Sequence, residues 1–216
     1  WTRSESQRSA SAGVGATIHL SLGGKHAPEF GGGPLEVEAR VIAVSDGAFV
    51  YKVSRDGSRV VDAKKQMFAE SYAIFALATY GRVFGDAEAT GLALDRFAGI
   101  DASRHDAVNG GYDQRLDPGT LSAGAEKDTN THLHLLEAFT ALYEATADAR
   151  VAARLNELID LFATRLFRPA GYVHSEFKLN WALVGTPRVS YGHDLETSWL
   201  MLDAARVLGR SEDIEL

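Results

Sequence analysis

Cysteine is absent from the 216-residue sequence. This absence excludes a disulfide framework, a thiolate nucleophile and a zinc site with sulfur ligands. No apolar run approaches the roughly 20 residues that a membrane-spanning helix needs. The formal net charge is −7, whereas a nucleic acid or an anionic membrane binds a basic surface. We therefore expect a cytoplasmic protein whose partners include neither a membrane nor a nucleic acid.

Several well-known catalytic and cofactor-binding motifs are also missing. The sequence has no G-x-S-x-G, no P-loop, no G-x-G-x-x-G between a strand and a helix, and no H-E-x-x-H. His132 and His134 lie two positions apart in a helical segment, so their side chains would point about 200° apart. They could not bind the same metal ion, and a metal site is therefore disfavoured.

The first quarter of the chain has weak structural patterning. Residues 1–47 are rich in Ser, Gly and Ala and show no sustained period, so we predict an irregular segment. From Phe49 to Val53 apolar residues alternate with others, and Asp56–Gly57 supplies a turn. This pattern predicts a β-hairpin over residues 48–62.

Residues 63–210 have the pattern of successive helical hairpins. Helices that are apolar on most faces are usually buried, and three such segments are present: 63–85, 130–148 and 193–209. Two amphipathic helices follow the first two of them, at 87–100 and 149–167. A regular repeat of helical hairpins predicts units that stack or close into a ring. The long loops of such a scaffold are where sites tend to be built.

The fold class that fits this pattern best is all-α, an α/α barrel. The buried helices would form its inner ring and the amphipathic helices its outer ring. Residues 1–216 would then be a single domain that contains an incomplete ring. An irregular helical bundle remains the alternative on pattern alone.

A histidine is predicted at the start of the last buried helix. His193 follows Tyr191–Gly192, where the helix dipole disfavours a charged imidazole while the nearby Glu196 favours it. This balance would keep His193 ready to exchange a proton. Trp199, one turn below Glu196, would give a flat apolar wall that suits a sugar ring. The alternative is that His193 and Glu196 only cap the helix and Trp199 packs in the core.

A second group of this kind is predicted where the helix 130–148 begins. His134 lies four residues after Asn130 and three before Glu137, so the three residues share one helix face. The inner helices of a ring point their N-terminal ends at the same mouth, where His134 and His193 could converge. A buried histidine that only packs is the alternative for His134.

Three segments resemble signature segments of the cellobiose 2-epimerases, a group in the N-acylglucosamine 2-epimerase superfamily. The segments are KKQMFAESYAIFALATYGR, NTHLHLLEAFTALYEAT and SYGHDLETSWLMLDAARVLG. They occur in the family's order, and the resemblance covers about residues 48–210. It implies an (α/α)6 barrel, of which the predicted helices supply about half. The loop at 110–119 departs from the family's pattern.

The resemblance implies an isomerase that inverts C2 of the reducing-end sugar of cellobiose or a related β-1,4-linked disaccharide, without a cofactor. The sugar ring opens, a histidine removes the C2 proton, an enediolate forms, and another histidine returns a proton on the opposite face. By this resemblance His193 is an acid/base residue, and His134 contacts the reacting sugar. We take both as catalytic candidates. The substrate-binding candidates are Asn130, Glu196 and Trp199.

The family is about twice as long as this sequence. Its second acid/base histidine lies in a C-terminal half that residues 1–216 do not contain. We therefore expect residues 1–216 to be inactive on their own. The alternative to an epimerase is a non-catalytic helical fragment that binds carbohydrate or an interaction partner.

Overall fold

The structure is a computed structural model. It describes residues 49–55, 59–117, 119, 121–186 and 189–210, together with the backbone of two strands at 17–22 and 37–42. By its internal contacts the chain divides into two compact units, Trp1–Lys65 and Gln66–Leu216. The helices that the structure describes all lie in the second unit.

The first unit contains an antiparallel strand pair that the sequence analysis missed. Strand β1 (Thr17–Leu22) pairs with β2 (Val37–Ile42) in an unbroken register. The prediction of an irregular segment over 1–47 is therefore wrong for these two strands. Both strands alternate apolar and polar residues in part, as TIHLSL and VEARVI show. Each signal is only six residues long, and the glycine-rich sequence between them obscures it.

The hairpin predicted over 48–62 is present in the described residues. Strand β3 (Lys52–Val53) pairs antiparallel with β4 (Val60–Asp62), and the register shifts within β3. The predicted turn residues Asp56–Gly57 lie outside the described part of the chain.

The described part of the second unit contains five α-helices at the predicted places. They are α1 (Met67–Phe84), α2 (Ala87–Arg104), α3 (Thr129–Thr146), α4 (Ala149–Leu161) and α5 (Tyr191–Val207). The helix predicted over 149–167 is α-helical only to Leu161 and continues as a π-helical turn, Phe162–Leu166.

Local capping explains where these helices begin. Four of the described helices have an N-cap side chain that accepts a hydrogen bond from a backbone N–H of the first turn: Asp86, Asp128, Asp148 and Ser190. Helix α1 is capped from a distance, because Asp117 Oδ2 accepts a hydrogen bond of 2.8 Å from the Met67 N–H.

Short strands join the two long loops to the start of α3. Strand β5 (Lys127–Asp128) immediately precedes α3 and pairs with β8 (Glu176–Phe177). Strand β6 (Phe167–Arg168) pairs with β7 (Tyr172–Val173) before the chain reaches β8. The loops on both sides of the α3–α4 hairpin are thereby held at one end of α3.

The helices of the second unit pack as an inner and an outer layer. Helix α3 lies between α1 and α5, and most of its residues are buried. Helix α2 packs on α1 and α3, and α4 packs on α3 and α5. This alternation is the predicted arrangement of inner and outer helices. None of the described helices is both long and apolar enough to cross a lipid bilayer.

Helix α5 buries less of its surface than its composition predicts. Thr197, Leu200 and Met201 lie on its buried face. Leu195 and Trp199 are 73% and 56% exposed. In the described residues α5 packs mainly on α3 and α4, and one apolar flank of α5 is exposed. Trp199 therefore lies outside the core that the described residues form.

Candidate active site at the entrances of α3 and α5

His134 lies where the first half of α3 packs against α1, and only 7% of it is exposed. Its Nδ1 is 3.0 Å from Oε2 of Glu137. Its Nε2 is 3.3 Å from the hydroxyl of Tyr72 on α1. Phe68, one turn before Tyr72, packs edge-on against the imidazole with ring centroids 5.2 Å apart. The contact between His134 and Glu137 confirms that these two residues share a helix face.

The charge of Glu196 on α5 acts on the same group of residues. Burial raises the pKa of the Tyr72 phenol, and the negative charges of Glu137 and Glu196 raise it further. The two carboxylates therefore lie near one hydroxyl, although they come from α3 and α5. The inner helices α1, α3 and α5 thus each contribute a polar side chain to one region.

The sequence analysis predicted that His193 is the first residue of its helix, and this prediction is wrong. Helix α5 begins at Tyr191, because Ser190 is the N-cap and its Oγ accepts a hydrogen bond of 3.4 Å from the His193 N–H. Glu196 accordingly lies in the second turn rather than the first. Among the described residues the His193 ring has no hydrogen-bond partner, and the ring does not bond to Glu196. The cap is therefore formed by Ser190, and the half-buried imidazole is left available.

The remaining two candidates differ in exposure. Asn130 is the second residue of α3 and is half-buried, and Trp199 is mostly exposed on α5. Within the described part of the chain the Asn130 side chain forms no hydrogen bond. No hydrogen bond or ring contact joins His193 to His134 there either, so their convergence at one mouth stays a prediction.

His132 faces away from His134, as the helical geometry requires. It is 1% exposed, its Nδ1 donates to the Asp128 carbonyl at 2.6 Å, and its Nε2 accepts from the Tyr112 N–H at 2.9 Å. Burial lowers the pKa of His132 to about 3. The two histidines of this motif therefore have separate roles, and His132 holds the loop before α3 in place.

The buried neutral state of His132 predicts a loss of stability in acid. Its pKa is lowered from 6.5 in the unfolded chain to about 3 in the fold, so the unfolded chain takes up the proton first. The free energy of unfolding should fall by up to about 1.4 kcal/mol per pH unit as the pH drops through this window. Urea denaturation across these pH values should show a steeper acid loss for the wild type than for His132→Gln. Equal pH slopes would contradict a neutral buried His132.

A buried lysine anchors the same loop, and the sequence analysis did not identify it. Lys127 is fully buried, and its Nζ donates to Asp106 Oδ2 at 2.9 Å, to the Gly110 carbonyl at 2.6 Å and to the Leu179 carbonyl at 2.8 Å. Burial opposes ionisation of Asp106, but hydrogen bonds from Lys127 and Asn109 hold its pKa well below the usual range. The loops before α3 and after β8 are fixed at the helix entrance by this one side chain.

An open cleft of about 540 Å³ lies elsewhere in the unit, between the loop at 105–110 and α4. It contains a pair formed by His105 Nε2 and Glu157 Oε1, which are 2.9 Å apart. None of the five candidate site residues lines this cleft. The described residues also contain no group of three or more His, Asp or Glu that could hold a metal ion. We therefore place the candidate site at the helix entrances and not in the cleft.

The fold defines a protein class built from helical hairpins that alternate between an inner and an outer layer. The chain belongs to the N-acylglucosamine 2-epimerase (GlcNAc 2-epimerase) family, whose sequence model matches residues 37–215.

Curated relatives in this family are cellobiose 2-epimerases. The enzyme of Bacteroides fragilis is 38% identical over 162 residues, which cover 69% of this chain and 41% of the relative. The enzyme of Ruminococcus albus is 32% identical over 216 residues, which cover 93% of this chain and 53% of the relative. The chain therefore spans about half the length of the curated relatives it matches.

The chain is also similar to solved structures of cellobiose 2-epimerases. The cellobiose 2-epimerase from Bacillus thermoamylovorans B4167 is 29% identical, with a TM-score of 0.69 over 75% of this chain and 44% of that one. The enzyme from Spirochaeta thermophila DSM 6192 is 32% identical, with a TM-score of 0.68 over 76% of this chain and 43% of that one. These likenesses confirm the predicted fold class, an (α/α)6 barrel of which this chain contains a part.

Proposed function

We propose that the protein to which these residues belong is a sugar 2-epimerase. Its substrate is the reducing-end residue of cellobiose or a related β-1,4-linked disaccharide. The observation that carries the proposal is the pair formed by His134 and Glu137 on α3 beside the Tyr72 hydroxyl. Glu196 on α5 lies close enough for its charge to raise the pKa of that phenol. Membership of the N-acylglucosamine 2-epimerase family and the cellobiose 2-epimerase relatives support it.

The proposed reaction moves one proton and leaves the oxidation state of the sugar unchanged. After ring opening, His193 removes the proton from C2, and the electron pair of the C–H bond forms an enediolate across C1 and C2. A proton then returns to C2 on the opposite face, which inverts the centre. No electrons are lost or gained overall, so the reaction needs no redox cofactor.

The other candidates hold the open-chain sugar beside His193. Asn130 and His134 contact the oxygens of the reacting residue, and Glu196 orients the site. Trp199 offers an exposed aromatic face on α5, which suits packing against a sugar ring. We propose that the acid that returns the proton lies outside residues 1–216, in the half of the relatives' length that this chain does not span. Residues 1–216 would then be inactive on their own.

The first test is product formation by the protein from the complete coding sequence. Incubation with cellobiose should give the epimer in which glucose is linked to mannose. It is detected by separating the two disaccharides or by the anomeric proton signal of mannose. Binding of cellobiose without any epimer would favour the non-catalytic carbohydrate-binding alternative. If the protein neither binds cellobiose nor turns it over, both the epimerase and the carbohydrate-binding alternative are excluded.

A further inference from the structure

Tyr72 is in direct contact with His134 in the candidate site. Its hydroxyl lies 3.3 Å from Nε2, and its ring lies beside the imidazole with centroids 4.8 Å apart at an angle of 37°. Phe68 packs edge-on against both rings. Tyr72 is 43% exposed, whereas His134 is 7% exposed. The open side of this cluster is therefore occupied by Tyr72 and not by the imidazole.

The partners of His134 determine which nitrogen carries the proton. A carboxylate can only accept a hydrogen bond, so Nδ1 donates to Glu137. In the neutral ring Nε2 is then the acceptor, and it needs a donor. Burial and the charges of Glu137 and Glu196 raise the pKa of the Tyr72 phenol. The phenol therefore remains protonated at neutral pH and can be that donor.

We propose that Tyr72 is a positioning residue: with Glu137, it fixes the tautomer and the ring orientation of His134. The inference rests on the proposed function for its catalytic consequence, but not for its structural part. Two hydrogen bonds from opposite sides hold the imidazole in one plane, and the edge of Phe68 blocks its rotation. The reacting sugar would therefore meet an imidazole whose plane and tautomer are already set.

The test compares Tyr72→Phe with Tyr80→Phe in the protein from the complete coding sequence. Both variants remove one hydroxyl from α1, and Tyr80 packs against Phe84 at the other end of the helix. Histidine ring nitrogens are observed by long-range proton–nitrogen NMR correlation. We expect wild-type His134 to have the proton on Nδ1. In Tyr72→Phe its Nε2 resonance should move toward the frequency of an imine nitrogen without a hydrogen bond, and in Tyr80→Phe it should not move.

Kinetics supply the second measurement. We expect Tyr72→Phe to lower kcat for cellobiose about twofold to tenfold, the rate equivalent of one neutral hydrogen bond. KM should stay nearly unchanged, because the ring that packs beside the site is retained. Tyr80→Phe should match the wild type in both constants. A rise in KM at constant kcat would instead make Tyr72 a substrate-binding residue and overturn the positioning role.

The two measurements separate the failure of this inference from the failure of the proposed function. A wild-type spectrum with the proton on Nε2 of His134, or identical spectra for Tyr72→Phe and Tyr80→Phe, would overturn the role of Tyr72. The expected spectra from a protein that does not turn over cellobiose would support the role of Tyr72 and reject the epimerase.

Discussion

Replacing His193 with alanine should lower the turnover of cellobiose by at least about 100-fold, the lower end of what a positioned acid–base group contributes. The variant is made in the protein from the complete coding sequence and compared with the wild type at neutral pH. The fold should survive, because the N-cap of α5 is the Ser190 side chain and its donor is the backbone N–H of residue 193. That backbone donor is still present in alanine.

A matched control lies on the same helix. Arg206 is exposed in the last turn of α5, so Arg206→Ala removes a side chain far from the helix entrance and should retain full activity. Circular dichroism and thermal unfolding of both variants check the fold. Unfolding of His193→Ala at unchanged pH, rather than inactivation of a folded protein, would favour a packing role for His193.

Replacing Lys127 with alanine should have the largest effect on stability, a loss of about 3–5 kcal/mol in the free energy of unfolding. This is the usual cost of removing one partner from a buried ion pair, since the other charge is left without compensation. The side chain of Lys127 is fully buried and that of its partner Asp106 is 10% exposed. The change would also leave the carbonyls of Gly110 and Leu179 without their donor. Urea denaturation measures the loss.

Lys178 provides the control for this prediction. It is exposed and follows β8 directly, so Lys178→Ala should change the free energy of unfolding by no more than about 0.5 kcal/mol. Equal stabilities of Lys127→Ala and Lys178→Ala would show that the buried lysine does not anchor the loops at the α3 entrance.

The parts of the structure that were predicted from the sequence depend on the spacing of residues within a single helix. Helix α3 was placed from its apolar pattern, and its contact between His134 and Glu137 follows from a spacing of three on a helix face. The opposite directions of His132 and His134 follow in the same way from the helical rotation of about 100° per residue. The same apolar pattern predicted that α1, α3 and α5 are the inner helices of an α/α barrel, and the comparisons confirmed that fold class.

The parts that the sequence did not predict depend on residues far apart in the chain. The bond between Tyr72 and His134 joins α1 to α3, and the pair of Lys127 and Asp106 joins β5 to a loop, with no periodic signal for either. The start of α5 was placed too late because the capping potential of Ser190 was not considered. This was a local signal, since serine before a helical run is a common N-cap.

Deuterium incorporation shows whether the proposed epimerase inverts C2 by removing and returning a proton. The protein from the complete coding sequence is incubated with cellobiose in deuterium oxide, and the glucosyl-mannose product is examined by NMR and mass spectrometry. We expect one solvent deuterium at C2 of the mannose residue, because the proton that reaches C2 comes from a histidine that exchanges with solvent. An epimer that keeps the original hydrogen at C2 would contradict the proton-transfer mechanism.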